Sequence, residues 1–316
     1  MIKRSLETAG AEVIDVIHQH PLLTTSQLRE LVLPERGLRR TQQVIAELAR
    51  RRLLDSVASR HAWPGPGERV WFLSRRGAAV AEELPDRAEP RRRLMTADKA
   101  ASLLQAHTLA VNAVGVAFTR AARERGDEFD SRSWRHEIAH DIVQGRRRRL
   151  LIADAVLRYW TGGGTTLHYR FLEVDRGNAL IDDLVAKLKR YVALHDAWRE
   201  YRNAGEWERQ RLPAWPSRYL AFPSVLVLFA DAGRADPVRR MTIVKAGCRA
   251  EPEFRWRADL FRFALFDDLT AAGPFAAVFR RVDSDQPVNW LDTPTDRTSP
   301  LGVDAAASGT GDGRAA

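Results

Sequence analysis

Three carboxylates stand in a pattern that lets them share one cation. Glu173 and Asp175 sit two apart in the stretch FLEVDRGNALIDDLVAKLKRY, residues 171–191. On a strand, side chains two apart project from the same face. Asp154 lies on the preceding apolar run and supplies the third acid, and Glu137 could add a ligand from an earlier run. Hydrolysis of a phosphodiester needs a divalent cation to polarise phosphate and activate water, and Mg²⁺ is held by a few carboxylates plus waters. Asp154, Glu173 and Asp175 are therefore the candidate metal ligands, with Mg²⁺ the expected cofactor. The competing reading is an acidic cluster that only forms ion pairs with Arg158, Arg170 and Arg176.

A second pattern suggests different chemistry. His136-Glu-Ile-Ala-His140 matches HExxH, which on a helix turns both histidines to one side for zinc and offers the Glu as base. Gly145 and four Arg follow within a few residues, so the segment reads more naturally as a strand. His136, Ile138 and His140 then share one face. No third ligand stands at a familiar spacing.

The elements that must position these residues follow from periodicity. In residues 178–201, Ile181, Leu184, Val185, Leu188, Tyr191, Val192, His195 and Trp198 keep helical spacing and define a buried face. Lys187 lies about a quarter turn off that stripe at ~100° per residue, at the edge of the core. Residues 136–143, 149–159 and 166–174 read as strands, with hairpin signals at Gln144-Gly-Arg and Gly162-Gly-Gly164. Residues 107–125 read as a helix headed by His107, a capping or core-edge residue. Residues 224–230 and 241–246 read as further strands. Helix, three-strand meander, helix and strand give an α+β domain with one mixed sheet.

Upstream, residues 7–20 read as a helix closed by Pro21. Thr24 and Gln27 fit a capping box that opens a second helix. Pro34-Glu-Arg-Gly37 breaks the chain before a third helix over 38–52, with Leu38, Ile45, Leu48 and Ala49 as its buried stripe. Two strand-like segments, 53–57 and 69–73, flank a loop rich in Pro and Gly. Three short helices and a hairpin make the pattern of a winged helix-turn-helix. Recognition helices bring their first residues to base edges in the major groove. Arg39, Arg40, Thr41 and Gln43, with Arg50 and Arg69, are the expected DNA contacts. A winged helix that makes only protein contacts is the alternative.

Composition supports a polyanionic partner. The net charge of +9 and pI near 10.2 favour nucleic acid first and an anionic membrane second. The excess is uneven: residues 36–76 hold ten Arg against three acids, while the tail from residue 282 holds six Asp against two Arg. Arg91-Arg-Arg93 reads as a linker, and Arg146–Arg149 as a solvated hairpin tip or a grip on DNA backbone. The single Cys248 excludes an internal disulfide and a Cys-rich zinc site, and reads as a packed small residue. Trp198, Tyr201, Trp207 and Trp215 read as core or interface anchors. With no secretory signal and no apolar run long enough to span a bilayer, a cytoplasmic protein is expected.

The residues quoted above carry a resemblance. Asp-Ala-Val-Leu-Arg at 154–158, a Gly-rich hairpin, Phe-Leu-Glu-Val-Asp-Arg-Gly and a helix ending Lys-Leu-Lys-Arg-Tyr resemble the replication-relaxation family of bacterial plasmid and mobile-element proteins. The resemblance covers roughly residues 24–279. It implies an amino-terminal winged helix joined to a domain similar to the PD-(D/E)xK, restriction-endonuclease-like fold. In that pattern Ala153-Asp154 stands where Pro-Asp would be, Glu173 matches, and Asp175 occupies the Lys position. Related nucleases place the Lys on the following helix, which gives Lys187 that role, with Arg176 the alternative cation. The implied catalytic set is Asp154, Glu173, Asp175 and Lys187. The implied organisation is a winged helix at 1–88, a linker at 89–104 and a nuclease-like domain at 105–282, while the Pro, Asp, Ser, Gly and Ala content of residues 283–316 reads as a disordered tail. The expected partners are double-stranded DNA and either a second copy or a replication or mobilisation protein. Metal-dependent nicking of DNA, a catalytically silent factor for transcription or replication assembly, and a zinc metalloprotease are the three functions to separate.

Overall fold

The computed structural model describes residues 2–59, 68–84, 95–102, 104–144, 147–231, 233 and 235–292. The amino-terminal part runs α1 (Ile2–Gln19), β1 (Leu23–Thr24), α2 (Thr25–Val32), α3 (Leu38–Arg50), β2 (Leu54–Ala58), β3 (Arg69–Leu73) and α4 (Arg75–Glu82). Its three strands form an antiparallel sheet in the order β1-β3-β2. The expected capping box is present: Gln27 N donates to Thr24 Oγ1 and Thr24 N to Gln27 Oε1, each at 3.1 Å. In α3 the buried stripe is Thr41, Val44, Ile45 and Leu48, while Leu38 is exposed. Leu38 is the first residue of the helix and turns away from the core. The loop expected between the two hairpin strands, and the Arg91–Arg93 run, lie outside the described residues.

The remainder adds α5 (Ala97–Ala100), α6 (Leu104–Arg125), β4 (Trp134–Gln144), β5 (Arg147–Thr161), β6 (Thr166–Asp175), α7 (Ile181–Asn203), α8 (Glu206–Arg209), β7 (Ser224–Phe229), α9 (Pro237–Ala250), β8 (Phe261–Leu265) and α10 (Phe266–Ala272). Five strands make one mixed sheet, β4-β5-β6-β7-β8, so the chain is α+β as expected. β4, β5 and β6 form the antiparallel meander, and β7 and β8 are added in parallel through the crossover helices α7 and α9. β7 is buried on both faces, which its unbroken apolar run SVLVLF allows. The β5–β6 turn holds Gly162, Gly163 and Gly164 at φ of 63°, 63° and 88°, a conformation that strains other residues.

Two segments fold differently from what their sequence suggests. Residues 241–246 belong to α9, not to a strand. Asp236 caps that helix through Val238 N at 2.9 Å, Pro237 opens its first turn, and Met241, Val244 and Cys248 are buried at helical spacing. The strand that follows β7 is instead β8. The folded part also extends past residue 283. Phe279 and Val288 exchange main-chain hydrogen bonds at 2.9 and 2.8 Å, and Trp290 is 1% exposed within an aromatic cluster with Phe118 and Tyr159. Residues 293–316 lie outside the described residues.

Two apolar cores cover the two faces of the sheet. Leu172, Val174, Leu226 and Leu228 face α6, while Phe171, Val225, Val227 and Phe229 face α7 and α9. The first core continues without a break into α1, α2 and α3. Polar ties reinforce the junction: Gln27 Nε2 donates to Leu109 O at 2.9 Å, and Asn112 Nδ2 to Leu22 O at 2.7 Å. The amino-terminal part is thus packed onto α6, and its connection does not rest on the linker alone. No helix among the described residues is long and apolar enough to cross a membrane.

Candidate functional site

The acids are brought together at a fork in the sheet. The β5–β6 ladder ends at the pair Ala155–Leu172, and at the next step the Asp154 side chain takes over the role of a strand carbonyl. Its Oδ2 accepts from Val174 N at 2.8 Å. Glu173 is the next residue of β6, on the α7 side of the sheet and almost wholly buried. Lys187 of α7 lies between the two acids. Its Nζ donates to Asp154 Oδ1 at 3.3 Å and makes a short hydrogen bond to Glu173 Oε2. Tyr191 is one helical turn further on, the i,i+4 neighbour of Lys187, and its hydroxyl makes a second short hydrogen bond to Glu173 Oε1. From the opposite layer, His107 of α6 places Nε2 3.5 Å from Asp154 Oδ2.

The two carboxyls are driven apart in acidity. Burial, then the negative charge of Asp154, pushes Glu173 up to about 8, against the pull of Lys187 and Tyr191. Burial also acts to raise Asp154, but the His107 hydrogen bond, the Lys187 charge and the Val174 N–H outweigh it and hold Asp154 at about 2. Lys187 is raised: the charges of Glu173 and Asp154 overcome the burial that acts to lower it. Burial, then Glu173, holds the Tyr191 hydroxyl well above its ordinary value. Near neutral pH the site therefore contains an ionised Asp154, an ammonium and a carboxyl poised close to its own titration.

Asp175 does not join this centre. It shares a sheet face with Glu173, but Arg240 of α9 clamps it with a short bond from Nε to Oδ2 and a 3.1 Å bond from Nη2 to Oδ1. Arg240 Nη2 also donates to Ala179 O at 2.7 Å. Glu137 is exposed. Among the described residues no three His, Cys, Asp or Glu side chains gather in a metal-binding group. Two carboxylates and a lysine meet here, not the three acids expected from spacing.

The HExxH pattern lies on β4, and its histidines turn to opposite faces. Glu137 adopts φ 52°, and the face assignments exchange around it. His136 Nε2 meets Asn112 Oδ1 of α6 at 2.8 Å and His20 Nδ1 at 3.1 Å. His140 Nε2 meets Tyr219 OH at 2.7 Å on the α7 side. Burial, with Arg218 nearby, pushes His140 down to about 4. Strict alternation predicted a shared face; one left-handed residue between the histidines reverses it. The geometry of a zinc hydrolase is absent.

The residues expected at DNA divide as follows. Arg39 and Gln43 are exposed, and Arg40 is half-buried with Nη1 3.4 Å from Gln43 Oε1. Arg50 is tied to Glu47 at 2.8 and 2.9 Å, and Arg69 donates to Ser56 Oγ at 2.8 Å. Thr41 is fully buried, so it packs α3 and is unavailable to a ligand. Cys248 is buried, and burial pushes its thiol up to about 12, which suits a packing role. Sequence reasoning missed His107, Tyr191 and Arg240. The i,i+4 spacing of Lys187 and Tyr191 was a usable signal for one of them; nothing local to His107 or Arg240 marks their partners.

The family model described as replication-relaxation matches residues 14–209. Neither the curated proteins nor the solved structures gave a match. That match runs from the end of α1 through α8, including Asp154, Glu173 and Lys187, and points to a replication- or mobilisation-related function. Matched over more than half its length, the chain belongs to the replication-relaxation family.

Proposed function

We propose that the protein binds double-stranded DNA and nicks it with the help of a divalent metal at the Asp154–Glu173–Lys187 cluster. The observation that carries this reading is Lys187 seated between two carboxylates from adjoining strands. An ammonium held there marks a place built for positive charge, and hard carboxylate oxygens are the donors Mg²⁺ selects. Asp154 and Glu173 would hold the metal, which when bound supplies Lewis-acid polarisation of the phosphodiester and activation of a water. Lys187 would then turn to the phosphate and offset charge that develops there. Tyr191 fixes one Glu173 oxygen, and His107 steadies Asp154 from the other face of the sheet.

The amino-terminal part would choose the site. Its order of elements, with α3 directly before the β2–β3 hairpin, supports a winged helix-turn-helix with α3 as the reading helix. Arg39, Arg40 and Gln43 lie on its accessible first turns, Arg50 at its far end and Arg69 on the hairpin. Thr41 supports that helix from beneath.

A silent DNA-binding or assembly module is the second reading, favoured by the capture of Asp175 by Arg240, which leaves only two acids at the fork. Supercoiled plasmid separates the two. Nicking with Mg²⁺ or Mn²⁺ that disappears in Asp154→Ala and Glu173→Ala supports the enzyme. Wild type that binds the plasmid and leaves it intact across the metal series overturns it.

A further inference from the structure

A second group of cations lies away from the acid cluster, where the β4–β5 hairpin meets the segment leading into β7. A cavity of about 490 Å³ there is lined by Arg148, Arg211 and Arg218 against a single acid, Asp141. Its wall is rigid: Trp215 is buried, and its indole N–H donates to Asp141 O at 2.8 Å. The Asp141 carboxylate takes two bonds from Arg148, at 2.9 and 2.6 Å. Among the described residues neither Arg211 nor Arg218 has an ion-pair partner. Arg211 instead sits over the Trp207 indole, its guanidinium carbon 3.5 Å from the ring centre, a contact that holds the guanidinium without neutralising it. Three Arg against one Asp leave two positive charges in excess around the cavity.

Guanidinium forks match the paired oxygens of a phosphate, and an oriented fork loses less freedom on binding. Arg148 and Asp154 stand six residues apart on the same strand, ~20 Å at ~3.3 Å per residue. That separation is about six base pairs of duplex at ~3.4 Å each. A polyanion that reaches the fork therefore has a second anchoring point within one turn of helix.

We propose that this cavity grips the phosphodiester backbone of DNA on the flank of the acid cluster, through Arg211 and Arg218, with Arg148 exchanging Asp141 for phosphate. The proposal rests on the DNA-binding reading above and adds a contact surface in the sheet domain. Both unpaired arginines are exposed, so their removal leaves the core intact.

The test is fluorescence polarisation of a labelled duplex over a salt series, with the full chain and its Arg211→Ala/Arg218→Ala variant, and thermal melting to establish equal folding. Loss of two phosphate contacts lowers the slope of log affinity against log salt by about 1.8, at ~0.9 per contact. An unchanged slope in a normally folded variant overturns the site. Wild type that binds no DNA at any salt removes the underlying reading as well, which distinguishes the two failures. Inorganic phosphate is the other probe. If it raises the melting temperature of wild type but not of the variant while the DNA slope is unchanged, the cavity serves a free anion and the proposal is overturned.

Discussion

Glu173 and Asp175 are both acids on β6, two residues apart, buried and facing the same side of the sheet, yet their surroundings differ in kind. Asp175 meets a planar fork from Arg240 that satisfies both oxygens and closes the site to other cations. Glu173 meets a single-point ammonium, a phenol and a second carboxyl. A lysine is a flexible point charge that can swing away to another anion, whereas a bidentate arginine must break two bonds to do so. The contrast shows why spacing misplaced the third ligand: which cation faces each acid, not which face the acid occupies, decides whether it is structural or available.

The largest effect is expected at Asp175. Arg240→Ala leaves a buried carboxylate without its partner, and removing one member of a buried pair costs about 3–5 kcal/mol. Urea denaturation should show that loss, with most of it recovered by Asp175→Asn in the same chain. A loss no larger than that of a surface substitution would erase the distinction.

Lys187→Met should be milder, about 1–3 kcal/mol, because Glu173 can retain a proton and Tyr191 still donates to it. The same variant vacates the seat between the carboxyls. A larger rise in melting temperature with Ca²⁺ or Mn²⁺ than wild type shows is the expected outcome, and Tyr191→Phe, which keeps Lys187 in its seat, is the control.

The pH dependence of stability sharpens the contrast next. Glu173 is raised in the fold, so its stabilising contribution is full below its ordinary value of 4.5 and is lost as pH rises through about 8. Asp154 is depressed, so its contribution is present above 3.8 and is lost as pH falls through about 2. Glu173 should therefore give a downward slope of at most about 1.4 kcal/mol per pH unit between those limits, which Glu173→Gln flattens. An unaltered pH profile in that variant would place the elevated titration elsewhere.

Tyr191→Phe has the smallest expected effect. It removes one hydrogen bond to Glu173 and keeps the ring, for a loss of about 1 kcal/mol in chemical denaturation. The corresponding loss of a donor should shift the Glu173 limb of the pH profile further upward, and a downward shift would contradict the assigned direction of the bond.

Much of the fold was legible along the chain. The Thr24–Gln27 box, the Gly162–Gly164 turn, the three-strand meander and the apolar stripe of α7 are local features, and each depends on neighbours within about one helical turn or one hairpin. Asp154, Glu173 and Lys187 were legible as a set because two lie on adjacent strands and the third on the helix that follows. Leu38 and Thr41 exchanged places in the buried stripe, since the start of α3, not periodicity, decides which first-turn residue meets the core. Residues 241–246 read as a strand because a short apolar run has no period of its own; the Asp236–Pro237 start signal was the better guide. The last folded segment was misread from composition, which carries no information on Trp290 docking against α6.

By itself the amino-acid sequence determined the basic charge, the order of helices and strands, and the chemistry within reach, because these follow from residue type and short-range spacing. The tertiary structure alone decided which charges meet. Arg240 closes Asp175, His107 reaches Asp154 through the sheet layer, and a left-handed Glu137 sends His136 and His140 apart. Each of these turns on the packing of α6 or α9 against a strand distant in sequence, or on one backbone angle, and neither leaves a periodic trace in the chain.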